Sequence, residues 1–164
     1  MRAICPGSFD PVTRGHVDII ERAERLFGDV LVAVGRNSAK NYLFTTEERI
    51  ELLTDALAGY PGVRVVELSG LLVDFARDNE CDVIVKGLRF AGDFEFELQM
   101  AQMNSHLTGI ETVLLPASPE WGTVSSTVVR EVAGYGGDVS KFVPTTAYAR
   151  IQAKVASRGK GERS

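Results

Sequence analysis

Arg2-Ala3-Ile4-Cys5-Pro6-Gly7-Ser8-Phe9-Asp10-Pro11-Val12-Thr13-Arg14-Gly15-His16 is the stretch that decides the fold. Arg2–Cys5 reads as a short strand and Pro6-Gly7 as a turn. Gly15–Phe27 reads as a helix, with Val17, Ile20, Ala23 and Phe27 at helical spacing. A strand that breaks at glycine and feeds a helix is the opening unit of a parallel α/β sheet. The same segment carries chemistry. Gly7 and Gly15 let backbone approach a ligand closely. The helix start offers unpaired N–H groups and the positive end of a dipole. His16, in the first turn, can donate to a phosphoryl oxygen. Neither a Walker A sequence nor a GxGxxG turn is present, which weakens the ordinary P-loop and dinucleotide readings. Gly7–His16 is read as a phosphate-binding turn.

Outward from this segment the pattern repeats. Val30–Val34, Val63–Leu68, Val83–Lys86 and Thr112–Leu115 read as further strands. Helices are expected from the Thr45–Glu48 capping-box spacing to about Leu57, then over Leu71–Arg77, Asp93–Leu107, Ser125–Ala133 and about Thr146–Val155. Unbroken Val/Ile/Leu runs alternating with helices predict a five-stranded parallel sheet covered on both faces. The expected fold is α/β, a single doubly wound Rossmann-like domain over residues 1–156. The polar, glycine-containing residues 157–164 are expected to form a flexible tail.

Composition narrows the class. The 164 residues suffice for one good core. An apolar share of 45% with 24% charged residues is globular rather than disordered or membranous. A formal net charge of −4 argues against an extended nucleic-acid surface. No apolar run is long enough to span a bilayer. Met1–Pro6 lacks a signal-peptide core, so a cytoplasmic location is expected. Cys5 and Cys81 have no metal-ligand spacing and read as reduced, buried thiols.

In a doubly wound sheet, ligands bind beyond the carboxyl ends of the strands. The segments there are Gly7–His16, Gly35–Lys40, Lys86-Gly87-Leu88-Arg89 and Pro116–Thr127. Val124-Ser125-Ser126-Thr127-Val128-Val129-Arg130 opens a helix with three hydroxyls, which suit either a cap or a grip on a triphosphate. Asp10 reads as a turn or capping residue before a metal ligand. No carboxylate cluster marks a dedicated protein metal site. Asp93, Glu95 and Glu97 suit the start of the long helix electrostatically. That helix carries one apolar stripe of Phe94, Leu98 and Ala101 and another of Phe96, Met100, Met103 and Leu107. A helix apolar on two sides needs a partner besides its own sheet, which predicts oligomerisation. His106 reads as a surface residue.

Thr13-Arg14-Gly15-His16 resembles the TxGH variant of the HxGH motif of the nucleotidylyltransferase superfamily, and Val124-Ser125-Ser126-Thr127 resembles its ISSTxxR element. A narrower resemblance, to the bacterial phosphopantetheine adenylyltransferases, rests on Cys5–Pro11, Lys40, Lys86–Arg89, Asp93–Met100 and Gly137-Asp138-Val139. It covers about residues 1–150, with the elements in family order. Gly122-Thr123 departs from it, standing where the family more often has Ser or Tyr-Ser followed by an aromatic, and Thr127 replaces a frequent third serine.

The resemblance implies transfer of the adenylyl group of ATP to 4′-phosphopantetheine, giving dephospho-coenzyme A and pyrophosphate, with magnesium. It also implies a homohexamer with coenzyme A as a feedback ligand. By position, Ser8, Lys40 and Lys86 would hold the acceptor phosphate, and Leu72 would line the pantetheine channel. His16 would stabilise the reacting α-phosphoryl group, with Lys40 and Arg89 offsetting charge. Ser8, Phe9, His16, Gly87, Leu88, Arg89, Glu97 and Trp121, Gly122, Thr123, Val124, Ser125, Ser126 and Thr127 would bind ATP. The same enzyme class with another acceptor, and a non-catalytic nucleotide-binding regulator, are the rival readings. The charge state of His16 stays open, because the helix dipole lowers its pKa and a bound phosphate raises it.

Overall fold

The computed structural model describes residues 1–36 and 41–161. Along the chain run β1 (Arg2–Gly7), α1 (Arg14–Phe27), β2 (Asp29–Val34), α2 (Thr46–Ala56), β3 (Val63–Glu67) and α3 (Leu72–Asp78). They are followed by β4 (Val83–Leu88), α4 (Ala91–Thr108), β5 (Glu111–Pro116), α5 (Ser126–Gly134) and α6 (Thr145–Gly161). The strands form one parallel sheet in the order β3-β2-β1-β4-β5, the doubly wound arrangement expected.

Register explains where the sheet opens. β1 pairs with β2 from Arg2↔Asp29 to Gly7↔Val34, and β4 with β5 from Val83↔Glu111 to Leu88↔Pro116. Between β1 and β4 the pairs are Ala3↔Val83 and Ile4↔Ile84 alone. The two central strands therefore part towards their carboxyl ends, where the chain order reverses and a crevice forms. Pro6 has no N–H to give a ladder and is tolerated in this central strand because it lies past that last pair.

Two apolar layers follow from strand alternation. Ala3, Cys5, Val30, Val32 and Val34 face a core completed by Ile20 and Ala23 of α1, Leu52 and Leu53 of α2, Val129 of α5 and Ile151 of α6. Ile4, Leu31, Ala33 and Ile84 face the other side, under Val73 and Ala76 of α3. The expected capping box of α2 is present: Thr45 Oγ1 accepts from the Glu48 N–H, and the Glu48 carboxylate accepts from the Thr45 N–H.

Several boundaries move. β1 runs on through Pro6 and Gly7, read as a turn, because its ladder to β2 continues to Gly7↔Val34. β4 continues through Gly87 and Leu88 instead of ending at Lys86, because its ladder to β5 continues there. α6 is helical to Gly161, so the tail boundary set at residue 157 falls inside it. Glycine costs a helix only about 1 kcal/mol per residue relative to alanine, and no proline interrupts this run.

Candidate active site

A cavity of about 520 Å³ occupies the crevice between the carboxyl ends of β1 and β4. Of the residues expected at a site, Ser8, Phe9, His16, Lys86, Gly87, Arg89, Glu97, Trp121, Val124, Ser125, Ser126 and Thr127 line it. Leu72, Leu88, Gly122 and Thr123 are not among the lining residues. Leu72, the first residue of α3, is partly buried and packs against the apolar cluster on that helix's side of the sheet. Lys40 lies outside the described residues.

The floor is built by the segment between β1 and α1. Phe9 takes a left-handed conformation, φ 50°, and its ring lies over Gly7. A Cβ at Gly7 would sit 2.8 Å from that ring, so this glycine is required by Phe9 and not only by a ligand. Phe9 also meets the His16 ring edge-on, with centroids 5.0 Å apart.

His16 closes a capping box at the start of α1 that the sequence reading did not foresee. Its N–H donates to Thr13 Oγ1 at 3.3 Å, and its Nδ1 accepts from the Thr13 N–H at 3.0 Å. Histidine here takes the place usually filled by Glu or Gln. With Nδ1 an acceptor, a neutral ring carries its proton on Nε2. Burial, with the positive charge of Arg89 adding to it, lowers the His16 pKa to about 4. In the unliganded protein, His16 is therefore a neutral hydrogen-bond donor at physiological pH.

The cations of the site arrive with counter-charges from α4. Lys86 Nζ lies 3.1 Å from the Glu97 carboxylate, and Arg89 Nε 3.0 Å from that of Asp93. Arg89 also donates to the Val124 carbonyl at 3.4 Å. Glu97 is thus primarily the partner of Lys86. At the opposite rim, Ser125 is the N-cap of α5 and accepts from the Val128 N–H, while Ser126 Oγ donates to the Pro11 carbonyl at 2.7 Å. Thr127 Oγ1 accepts from Arg130, which also donates to the Asp10 carbonyl.

Asp10 lies in a turn, as expected, but its side chain serves a distant segment. It is 1% exposed, and its two carboxylate oxygens accept from the Leu43 and Phe44 N–H groups at 2.7 and 2.9 Å, far along the chain. Cys5 and Cys81 are free thiols; burial raises the pKa of Cys5 to about 12, so it stays protonated. Asp18 was also missed: both its carboxylate oxygens accept from Ser118 Oγ, at 2.8 and 2.9 Å, which ties α1 to the loop after β5. Arg49 was missed too, although a charged residue in register with Leu52 and Leu53 on the inward stripe of α2 was a readable signal.

Residues 4–132 match the model of the cytidylyltransferase-like family, and the chain belongs to that family. It is 54% identical over 156 residues to a phosphopantetheine adenylyltransferase of a Nocardioides species, covering 95% of this chain and 98% of that one. It is also 54% identical over 144 residues to the enzyme of that name from Cutibacterium acnes, covering 88% and 92%, and 50% identical over 157 residues to that of Streptomyces coelicolor, covering 96% and 99%. At such identity over nearly the whole length, it belongs more narrowly to the phosphopantetheine adenylyltransferases. Among solved structures, a Vibrio parahaemolyticus chain described as a nicotinate-nucleotide adenylyltransferase superposes with a TM-score of 0.64, covering 94% of this chain and 93% of that one at 18% identity. That likeness concerns the fold alone.

Proposed function

We infer that the protein transfers the adenylyl group of ATP to 4′-phosphopantetheine, releasing pyrophosphate and forming dephospho-coenzyme A. The observation that carries this reading is one cavity that joins a neutral histidine donor at a helix start to Lys86 and Arg89, in a chain about half identical to enzymes of that name.

The reaction needs no strong base. A phosphate monoester has a second pKa of about 6, so the acceptor is already largely an anionic nucleophile at neutral pH. An acceptor phosphate oxygen attacks the α-phosphorus, forming a P–O bond as the bond to the bridging oxygen of pyrophosphate breaks. The electron pair leaves with pyrophosphate. The barrier lies in bringing two polyanions in line and stabilising the shared charge, which fixed dipoles and cations can do. His16, held in one tautomer by Thr13, would donate from Nε2 to the α-phosphoryl group without any proton transfer. Lys86 and Arg89 would exchange their carboxylate partners for phosphate oxygens of higher charge. Ser8, with Lys40, would hold the acceptor phosphate, and the Trp121–Thr127 segment would receive the nucleotide.

Magnesium is part of this reading, carried on triphosphate oxygens. Of the carboxylates lining the cavity, Asp10 is committed to the Leu43 and Phe44 N–H groups and Glu97 to Lys86. Among the described residues no group of three His, Cys, Asp or Glu could hold a metal ion. Among the described residues none forms a cage for the ion, which the triphosphate would hold.

Assembly into a homo-oligomer, a hexamer by resemblance, is favoured by the uncovered apolar surface of α4, including Phe96, Met103 and Leu107. Feedback by coenzyme A and a cytoplasmic location belong to the same reading. Among the described residues no helix is long and apolar enough to cross a membrane.

Incubation with ATP, magnesium and one acceptor at a time, followed by pyrophosphate release, tests the assignment. Release with 4′-phosphopantetheine is expected. Release only with nicotinate mononucleotide would transfer the chain to another acceptor class, and none with any acceptor would favour a regulator.

A further inference from the structure

Arg49 is 1% exposed, yet among the described residues no carboxylate pairs with it. Its guanidinium is satisfied by neutral oxygens. Nη1 donates to the Ser8 carbonyl at 2.6 Å and to the Gly35 carbonyl at 2.8 Å. Nη2 donates to Thr46 Oγ1 at 3.0 Å, and Nε to the Thr45 carbonyl at 3.3 Å. The guanidinium carbon lies 4.3 Å from the centroid of the Tyr42 ring, which lines the cavity. Burying an unpaired cation costs several kcal/mol after relaxation, so an apolar side chain in this stripe of α2 would be the economical choice for stability alone. What the arginine supplies is geometry. One nitrogen of a rigid, planar group joins the ends of two adjacent strands, β1 through Ser8 and β2 through Gly35, while Nη2 and Nε fix its orientation from α2 and its face stacks on Tyr42.

We propose that Arg49 is a positioning residue for the acceptor end of the site, holding Ser8 and Tyr42 in place by bridging the carboxyl ends of β1 and β2 from α2. It touches no substrate. The proposal rests on the acceptor-side reading of Ser8 and concerns one half of the cavity. The opposite rim is held by other bonds, those of Ser118 to Asp18 and Ser126 to Pro11. Disturbing Arg49 should accordingly be felt unequally by the two substrates.

Arg49→Lys keeps the charge but has no planar group to stack on Tyr42, and its three N–H donors cannot serve the Ser8, Gly35 and Thr45 carbonyls and the Thr46 hydroxyl together as the guanidinium does. Steady-state pyrophosphate release should show the KM for 4′-phosphopantetheine raised about tenfold, with the KM for ATP within about twofold. Arg49→Met should raise the acceptor KM further. A lowered Tm with both KM values unchanged would overturn the proposal, as would equal rises in both, because either result describes a core residue with no preference for one end. Tyr42→Leu guards against failure to fold: it removes the stacking partner, leaves the hydrogen bonds of the Arg49 guanidinium in place, and should raise the acceptor KM alone, by about threefold. An unchanged acceptor KM in Tyr42→Leu would count against the proposal. Ser8→Ala tests the underlying reading separately. An acceptor KM raised there but not in Arg49→Lys overturns the positioning role and leaves the site assignment standing. One raised in Arg49→Lys but not in Ser8→Ala keeps the positioning role and removes the Ser8 hydroxyl from the acceptor site.

Discussion

α1 and α4 both begin at the mouth of the cavity, and both bring residues to it, yet they are finished to different degrees. α1 buries Ile20 and Ala23 outright and packs Val17, Ile19 and Phe27 against the same core. α4 is longer, 18 residues against 14, and Asn104 is its one buried side chain. Phe96 and Met103 are 61% and 55% exposed, and Phe94, Leu98, Met100 and Leu107 are exposed as well. A helix that is complete within one chain can fix a reacting group to a fraction of an ångström. A helix with an uncovered apolar face supplies charges to the site on one side and, on the proposed reading, a surface for assembly on the other. The chemistry should therefore break on α1, and the assembly on α4.

The sharpest break is His16→Ala. Loss of one preorganised donor to developing charge should lower kcat by about 10²–10³-fold while ATP affinity changes only a few-fold. Equal losses in turnover and in ATP binding measured by calorimetry would remove His16 from the transition state. His16→Gln separates chemistry from folding, because glutamine at this position can still complete the capping box with Thr13. Its Tm should stay near that of the parent while kcat falls.

pH gives a second view of the same residue. The His16 pKa is about 4 in the folded chain and has its ordinary value near 6.5 when unfolded. The unfolded state therefore binds the extra proton between these values, and the native state loses stability as pH falls from about 6.5 to about 4. Above about 6.5 the group has no effect on stability. Denaturant midpoints should fall more steeply with acidification for the parent than for His16→Gln, and identical slopes would mean that the ring is not held neutral.

On packing, Ile20→Ala should cost about 2–5 kcal/mol by denaturant unfolding, the range for truncating a fully buried branched residue. Met103→Glu should change monomer stability by no more than about 0.5 kcal/mol and instead shift light-scattering mass towards smaller species. An unaltered mass with a large loss of stability would make α4 an ordinary core helix.

The comparison also shows what a sequence can disclose. Val30–Val34 and Val83–Val85 are unbroken apolar runs, and burial on both faces of a parallel sheet is what such runs require, so the sheet was legible. The Thr45–Glu48 box is local chemistry, complete within four residues, and it formed as spaced. Asp10 was illegible because its partners, Leu43 and Phe44, are brought to it only by the crossover through α1 and β2. The inward place of Arg49 was readable, but its role was not, because the Ser8 and Gly35 acceptors are backbone carbonyls, which carry no sequence signature. The charge of His16 depended on its burial and on the nearness of Arg89, and its tautomer on the Thr13 N–H, all of which only the folded chain sets.

The smallest expected effect is the one that tests how far α4 serves the site. Glu97 holds Lys86 at 3.1 Å, and both side chains are partly exposed, so the pair is worth little to stability. For an incoming polyanion the carboxylate is a competitor for Lys86 and a like charge near the ligand. Glu97→Gln removes that charge and keeps the size. If Glu97 acts only as the resting partner of Lys86, the KM for whichever substrate Lys86 grips should fall by about two- to threefold, corresponding to about 0.5 kcal/mol. If Glu97 accepts a hydrogen bond from the nucleotide, as the family resemblance implied, the KM for ATP should rise instead. The opposite signs distinguish a helix that lends charge to an empty site from one that recognises the substrate.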